Sequence, residues 1–292
     1  MIPAIGYSMC AAGRRPLNST ANRTPLVTAW SPEAQPTAVE IDLDCSNRSL
    51  ETLCDLEGES VTLHAVSLSD HAHKPTDAAL CRLTDLARQT GAQAVIARLD
   101  SAPAPSTSTT TAVAAGSGAP SPAPRAWKTE TANLSQQVEA VQKRLGEIPF
   151  YLESTVEAEW FKRNSHGKRV LRKVLAGTGC GWFVDVTAIY VAAMNSAQDA
   201  ADLIEEVLPS ADRVQLRLTG VYFDEQAERW IASDAHPIPE AVFELYAFVL
   251  EVALEKVDAV FVRQEPADAI QLNSEGEIQT VREIAEGVSA IV

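Results

Sequence analysis

The chain has 292 residues, 46% of them hydrophobic, enough to bury a full core in one large domain or two modest ones. Acidic residues outnumber basic ones 39 to 24, and the net charge of -15 excludes a general binder of nucleic acid or of an acidic membrane, which needs a basic face. No apolar run reaches the roughly 18 residues of a membrane helix. The opening MIPAIGYSMCAAGRRPLN lacks the early positive cluster and continuous apolar stretch of a secretory signal, so the expected location is cytoplasmic. Cys10, Cys45, Cys54, Cys81 and Cys180 are irregularly spaced with no CxxC pair. Reduced thiols account for them better than a zinc ribbon or a disulfide framework.

In chain order, residues 3–6 read as a first strand. Residues 8–37 follow with Pro16, Pro25, Pro32 and Pro36 among small polar residues, an irregular segment where a first helix would stand. Short apolar runs at 39–43 and 61–64 are the next strands, then an amphipathic helix at 77–89 and a strand at 94–98. Residues 101–124, SAPAPSTSTTTAVAAGSGAPSPAP, cannot bury enough apolar surface to offset their ordering entropy and read as a disordered loop after the fourth strand. Beyond it, strands at 150–153, 182–186, 214–218 and 259–263 interleave with helices at 132–145, 156–175, 198–208, 240–256 and 278–287. Pro239 before Glu240 suits a helix start. Eight strands alternating with helices over 292 residues predict an α/β fold, a (β/α)8 TIM barrel occupying the whole chain as one domain. A doubly wound open sheet is the rival, but no Gly-rich turn follows an early strand.

Chemistry in such a barrel sits at the C-terminal ends of the strands. Charged residues stand there at most strands: Asp42 or Asp44, His64, Arg98, Glu153, Asp185, Arg217 and Arg263. Histidine and carboxylates are suitable metal ligands; arginines cannot deprotonate and would repel a cation from the same pocket.

At these residues the sequence resembles a known family. The stretch 181–195, GWFVDVTAIYVAAMN, resembles the strand-and-loop signature GLLLDVNNxYVSAxNH of the multinuclear non-haem iron oxidases, the TIM-barrel enzymes of methanobactin-type peptide modification. Further segments follow in the family's order. IGY at 5–7 resembles its opening strand, VTLHAVSLS at 61–69 its VSLHGVGLSLG, and FYLES at 150–154 its LLLEN. RVQLRLTGV at 213–221 is similar to EIHLAGH, IASDAHPIPEAVFELY at 231–246 to IDTHGHPVPxxVWxLY, and FVRQEPADAI at 261–270 to LIEWDxxIP. The likeness spans nearly the whole chain.

The resemblance implies a site for two or three irons held by His, Asp and Glu. Position by position, His64, Glu153 and Asp185 are kept, and Asp234 stands where the first His of DTHGH would be. Other ligand positions are substituted: Arg98, Arg217, Ala232 and Arg263 replace a His, a His, an Asp and an acidic residue; His236 survives, Val221 replaces the second His of HLAGH, and Ser154, Thr187 and Ala188 replace asparagines. Three former ligands have become arginine, opposite carboxylates that would otherwise be unpaired at a cost. The expectation is that ion pairs stand in for the cluster, with Arg98, Arg217 or Arg263 within hydrogen-bond reach of Glu153 or Asp185. The expected iron content is one ion or none rather than a full cluster; without a working centre, such a protein would act as a non-catalytic binding or scaffold subunit. By the same resemblance, its partners would be a precursor peptide, a peptide-recognition protein or an intact family paralogue; the acidic charge balance speaks against nucleic acid and membrane. The alternative keeps an active mononuclear or dinuclear iron oxidase of a precursor peptide, with His64, Glu153, Asp185 and Asp234 as ligands.

Plainer readings accompany the remaining residues. His71 and His73 suit a solvated loop better than a metal site, and His236 a polar contact at a helix entry. Cys180 reads as packing at the barrel bottom, and the Trp160-Phe161 pair as core. The basic run Lys162, Arg163, Lys168, Arg169, Arg172 and Lys173 reads as a solvated helix face and, as the densest positive patch of an acidic chain, is a candidate docking surface for an acidic partner.

Overall fold

A computed structural model describes residues 2–10, 37–43, 60–65, 76–99, 126–154, 156, 158–161, 165–263 and 271–291. Strands β1 (Ala4–Cys10), β2 (Ala38–Leu43), β3 (Ser60–Ala65), β4 (Ala94–Arg98), β5 (Phe150–Glu153), β6 (Gly181–Asp185), β7 (Val214–Asp224) and β9 (Val257–Arg263) pair in parallel, each with its neighbour. The β6–β7 and β1–β9 pairings close the circle into an eight-stranded barrel. The short strand β8 (Arg229–Ser233) pairs antiparallel with the outer part of β7.

Helices α1 (Asp77–Gln89), α2 (Ala126–Leu145), α3 (His166–Thr178), α4 (Val186–Ser196), α5 (Ala200–Val207), α6 (Glu240–Ala253) and α7 (Gln271–Ser289) surround it. Because both faces of each strand are covered, the strands read as apolar runs rather than alternating ones. Outward residues such as Val39, Leu63, Val95, Leu152 and Leu216 join the helices in one core. Inward Ala38, Ala94, Ile96, Tyr151, Phe183, Ala259 and Phe261 fill the barrel itself in a second. Helix starts are marked locally: Thr76, Ser165, Asp185 and Asp199 each accept a first-turn backbone N–H.

All eight expected barrel strands are present, with ends displaced by at most four residues except in β7, which runs six residues further than expected. Four expectations need correction. The helix expected at 156–175 is a short 3-10 turn, Ala158–Phe161, followed by α3; Ser165 starts α3 afresh, and the Trp160 ring packs so closely on Gly167 that a Cβ there would lie 2.8 Å away. Residues 186–196, read within a strand-and-loop segment, form α4. This helix is apolar on several sides because β7, β8 and α6 all pack on it, which erases the helical period. The β7–β8 ribbon was hidden behind polar turn residues; it leaves the barrel at Gly220, where a Cβ would lie 1.7 Å from the His236 carbonyl oxygen. Finally, the basic face of α3 is partly spent inside the molecule. Lys168 is buried against Glu206, Arg172 lies 3.1 Å from the same carboxylate, and Arg169 covers the Trp127 ring.

Cys180 is buried, and Trp160 and Phe161 pack half-buried on the core. Most of the 8–37 segment, the 101–124 loop, His71, His73, Lys162 and Arg163 lie outside the described residues, as does Asp44. No helix among the described residues is long and apolar enough to cross a membrane.

Candidate functional site

In parallel strands, alternate residues point into the barrel, and register decides which of them meet. Ser8 pairs in register with Glu40, Arg98 with Glu153, Asp185 with Arg217, and Thr219 with Arg263. These are the inward residues toward the C-terminal ends of the strands, and they form a polar layer above the apolar fill, with Thr219 and Arg263 apart from the others.

Arg217 is its hub. The side chain is buried, with Nη2 2.8 Å and Nε 3.1 Å from Asp185 Oδ2, Nη2 3.2 Å from Glu153 Oε1 and Nη1 3.4 Å from Glu40 Oε1. His64 bridges two carboxylates: Nδ1 lies 2.7 Å from Glu40 Oε1 and Nε2 3.2 Å from Glu153 Oε2. Arg98 Nη2 approaches Glu153 Oε2 at 3.2 Å, and Ser8 donates to Glu40 Oε2. Asp185 Oδ1 accepts the Ala188 N–H at 2.8 Å and so caps α4. Phe183 underlies the cluster, its ring 5.0 Å from the Arg217 guanidinium carbon.

The charges explain each other. Burial would raise the Glu40 carboxyl, but the Arg217 charge, His64 and Ser8 more than offset it and hold the group at about 2. Burial opposes ionisation of Glu153 likewise, and His64, Arg217 and Arg98 bring it to about 2. Burial disfavours the His64 cation, yet Glu153 and Glu40, one on each ring nitrogen, lift it to about 9. His64 is therefore an imidazolium donating from both nitrogens at neutral pH. Arg217 Nη1 lies 3.4 Å from His64 Nδ1, a contact between two donors, tolerated because Glu40 Oε1 accepts from both. Three cationic side chains thus face three carboxylates.

The sequence-expected contacts of Arg98 and Arg217 with Glu153 and Asp185 are therefore present, and His64, Glu153 and Asp185 do come together. Asp234 does not join them in this network. It pairs instead with Arg263, Oδ2 to Nε at 2.9 Å, while its Oδ1 accepts from Thr219 Oγ1 at 2.9 Å. Ala232 is an exposed residue of the ribbon. His236 is also exposed; it stacks on Tyr222 with centroids 4.7 Å apart and shares a 2.9 Å hydrogen bond with Ser233. Among the described residues no group of three or more His, Cys, Asp and Glu is arranged to hold a metal ion.

Sequence reasoning missed Glu40, Ser8 and Phe183. Glu40 had a signal: a carboxylate between Val39 and Ile41 in a strand buried on both faces must point into the barrel and needs a cation there.

Comparison with known proteins agrees with the architecture. The xylose isomerase-like TIM barrel protein of Mycobacterium smegmatis superimposes with a TM-score of 0.50 at 13% identity, over 88% of this chain and 86% of that one. A putative sugar phosphate isomerase/epimerase of Anabaena variabilis gives 0.51 at 10% identity, over 88% and 89%. At these identities the likeness is one of fold alone. UPF0276 proteins of Bordetella pertussis and Bordetella parapertussis are each 32% identical over 117 residues, 39% of this chain. The match spans 40% of the length of these relatives. Residues 44–265 match the family described as RiPP precursor modification enzyme MbnB/TglH/ChrH, and the chain belongs to that family.

Proposed function

We propose that this member has exchanged a metal centre for a neutral ion-pair network, and serves precursor-peptide modification as a non-catalytic binding or scaffold subunit. One observation carries the reading: Arg217 sits among Glu40, Glu153 and Asp185 where their oxygens converge. All six carboxylate oxygens already accept a hydrogen bond, and both His64 nitrogens are donors. A cluster of irons needs free lone pairs and tolerates no fixed cation in its midst. These residues do not fit such a cluster. A precursor peptide, and a protein that presents it or an intact paralogue that modifies it, are the partners this reading requires.

The test is the metal content of protein expressed with added iron and purified without oxygen. A folded chain with no metal supports the reading. Two or more irons per chain overturn it and restore a peptide-modifying oxidase, whereas one tightly held ion overturns it in favour of a reduced, mononuclear enzyme.

A further inference from the structure

We infer that Arg98 is the receptor for an anionic group, carboxylate or phosphate, that a ligand presents to the mouth of the barrel. The inference deepens the binding reading above and rests on it.

Arg98 ends β4 on the mouth side, and its side chain is 37% exposed where that of Arg217 is 8%. It is the most solvent-accessible cation of the network. A guanidinium offers five N–H donors in a planar fork suited to carboxylate or phosphate. Here Nη2 alone meets the network, at 3.2 Å from Glu153. The Nε is buried and, among the described residues, pairs with nothing. Buried donors are rarely left so, and those that are call for a functional account.

Glu153 does not depend on this arginine. His64 Nε2 and Arg217 Nη2 each approach it at 3.2 Å. Burial works against the Glu153 charge, and of the side chains that sustain it Arg98 contributes least, after His64 and Arg217. Arg98 can therefore turn toward an incoming anion while Glu153 keeps its contacts with His64 and Arg217. Arg217 has no such freedom, being held by three carboxylates at once. The network below is a fixed plug, and Arg98 is its adjustable rim.

The test is isothermal titration of the full chain with inorganic phosphate and, separately, with acetate at constant ionic strength. Wild type, Arg98→Gln and Arg98→Lys are compared. One phosphate or acetate per wild-type chain is expected, bound at least tenfold more weakly by Arg98→Gln. Arg98→Lys, which keeps the charge but loses the fork, should fall between them. Stronger binding of phosphate points to a phosphorylated ligand, and stronger binding of acetate to an acidic side chain or chain terminus. Equal binding by wild type and Arg98→Gln overturns the inference, as does wild type that binds neither probe. Iron content is read on the same samples, so failure of the subunit reading is seen separately from failure of the anion site.

Discussion

Replacing Arg217 with methionine tests the network at its hub. The change keeps much of the side-chain volume and removes the one cation shared by Glu40, Glu153 and Asp185. Stripping one partner from a buried pair costs about 3–5 kcal/mol, because the other charge is left in a poor solvent. Against a total stability of about 5–15 kcal/mol, that is a large fraction. The sign with pH is distinctive. In the wild type Glu40 and Glu153 sit at about 2, below the ordinary 4.5, so their contribution is present above pH 4.5 and lost as pH falls toward 2. Without Arg217 the largest influence opposing burial at Glu40 is gone and its carboxyl moves up, so the variant loses less than the wild type as pH falls. Urea denaturation followed by tryptophan fluorescence should therefore show a loss of about 3–5 kcal/mol near pH 6 that shrinks near pH 4.5. A loss under about 1 kcal/mol, unchanged with pH, would be that of an exposed ion pair and would refute the reasoning.

His64 governs the alkaline side. Its raised pKa adds stability that is full below 6.5 and is lost as pH climbs through about 9, worth at most about 3 kcal/mol; His64→Gln should abolish this decline, read as the wild-type-minus-variant difference in urea midpoint. At Asp185 the two oxygens divide cap from ion pair, so Asp185→Ala should cost about 1 kcal/mol more than Asp185→Asn, which retains an N-cap. A difference of zero in the same denaturation assay would assign Asp185 no capping role. Asn195→Ala removes both side-chain bonds to the Trp230 backbone, and should speed exchange of the Trp230 amide hydrogen at least tenfold while leaving barrel amides unchanged.

Barrel architecture was legible because burial on both faces turns each inner strand into an unbroken apolar run, as in Ala94–Arg98 and Phe150–Glu153. What escaped was structure fixed by tertiary contact. Helix α4 carries no period because its surroundings are apolar on several sides, and β8 is held by Asn195 and the outer half of β7, far from it in sequence or separated by a polar turn. At the site, the charged strand ends named most of the participants. Glu40 escaped because it sits two residues deeper than His64's register partner Asp42 and still reaches His64 across neighbouring strands. The separation of Asp234 from the network was equally invisible, since sequence order gives no account of which carboxylate each arginine takes.

A site built on metal leaves its carboxylates repelling one another whenever the metal is gone. Here the compensating charges are covalent parts of the chain, and the barrel interior is closed by them. Under the ions lies Phe183, and beneath that the apolar fill of Tyr151, Ile96 and Phe261. Buried ion networks of this kind add little net stability over an apolar core, so the reason to retain one lies in geometry rather than energy. It holds β2 through β7 together at the mouth and fixes where the rim residues stand. Among the described residues of this face, Arg98 and the half-buried Arg263–Asp234 pair are more exposed than the ions beneath them. Substitution of Arg98 should accordingly alter anion binding without disturbing the fold that Arg217 secures.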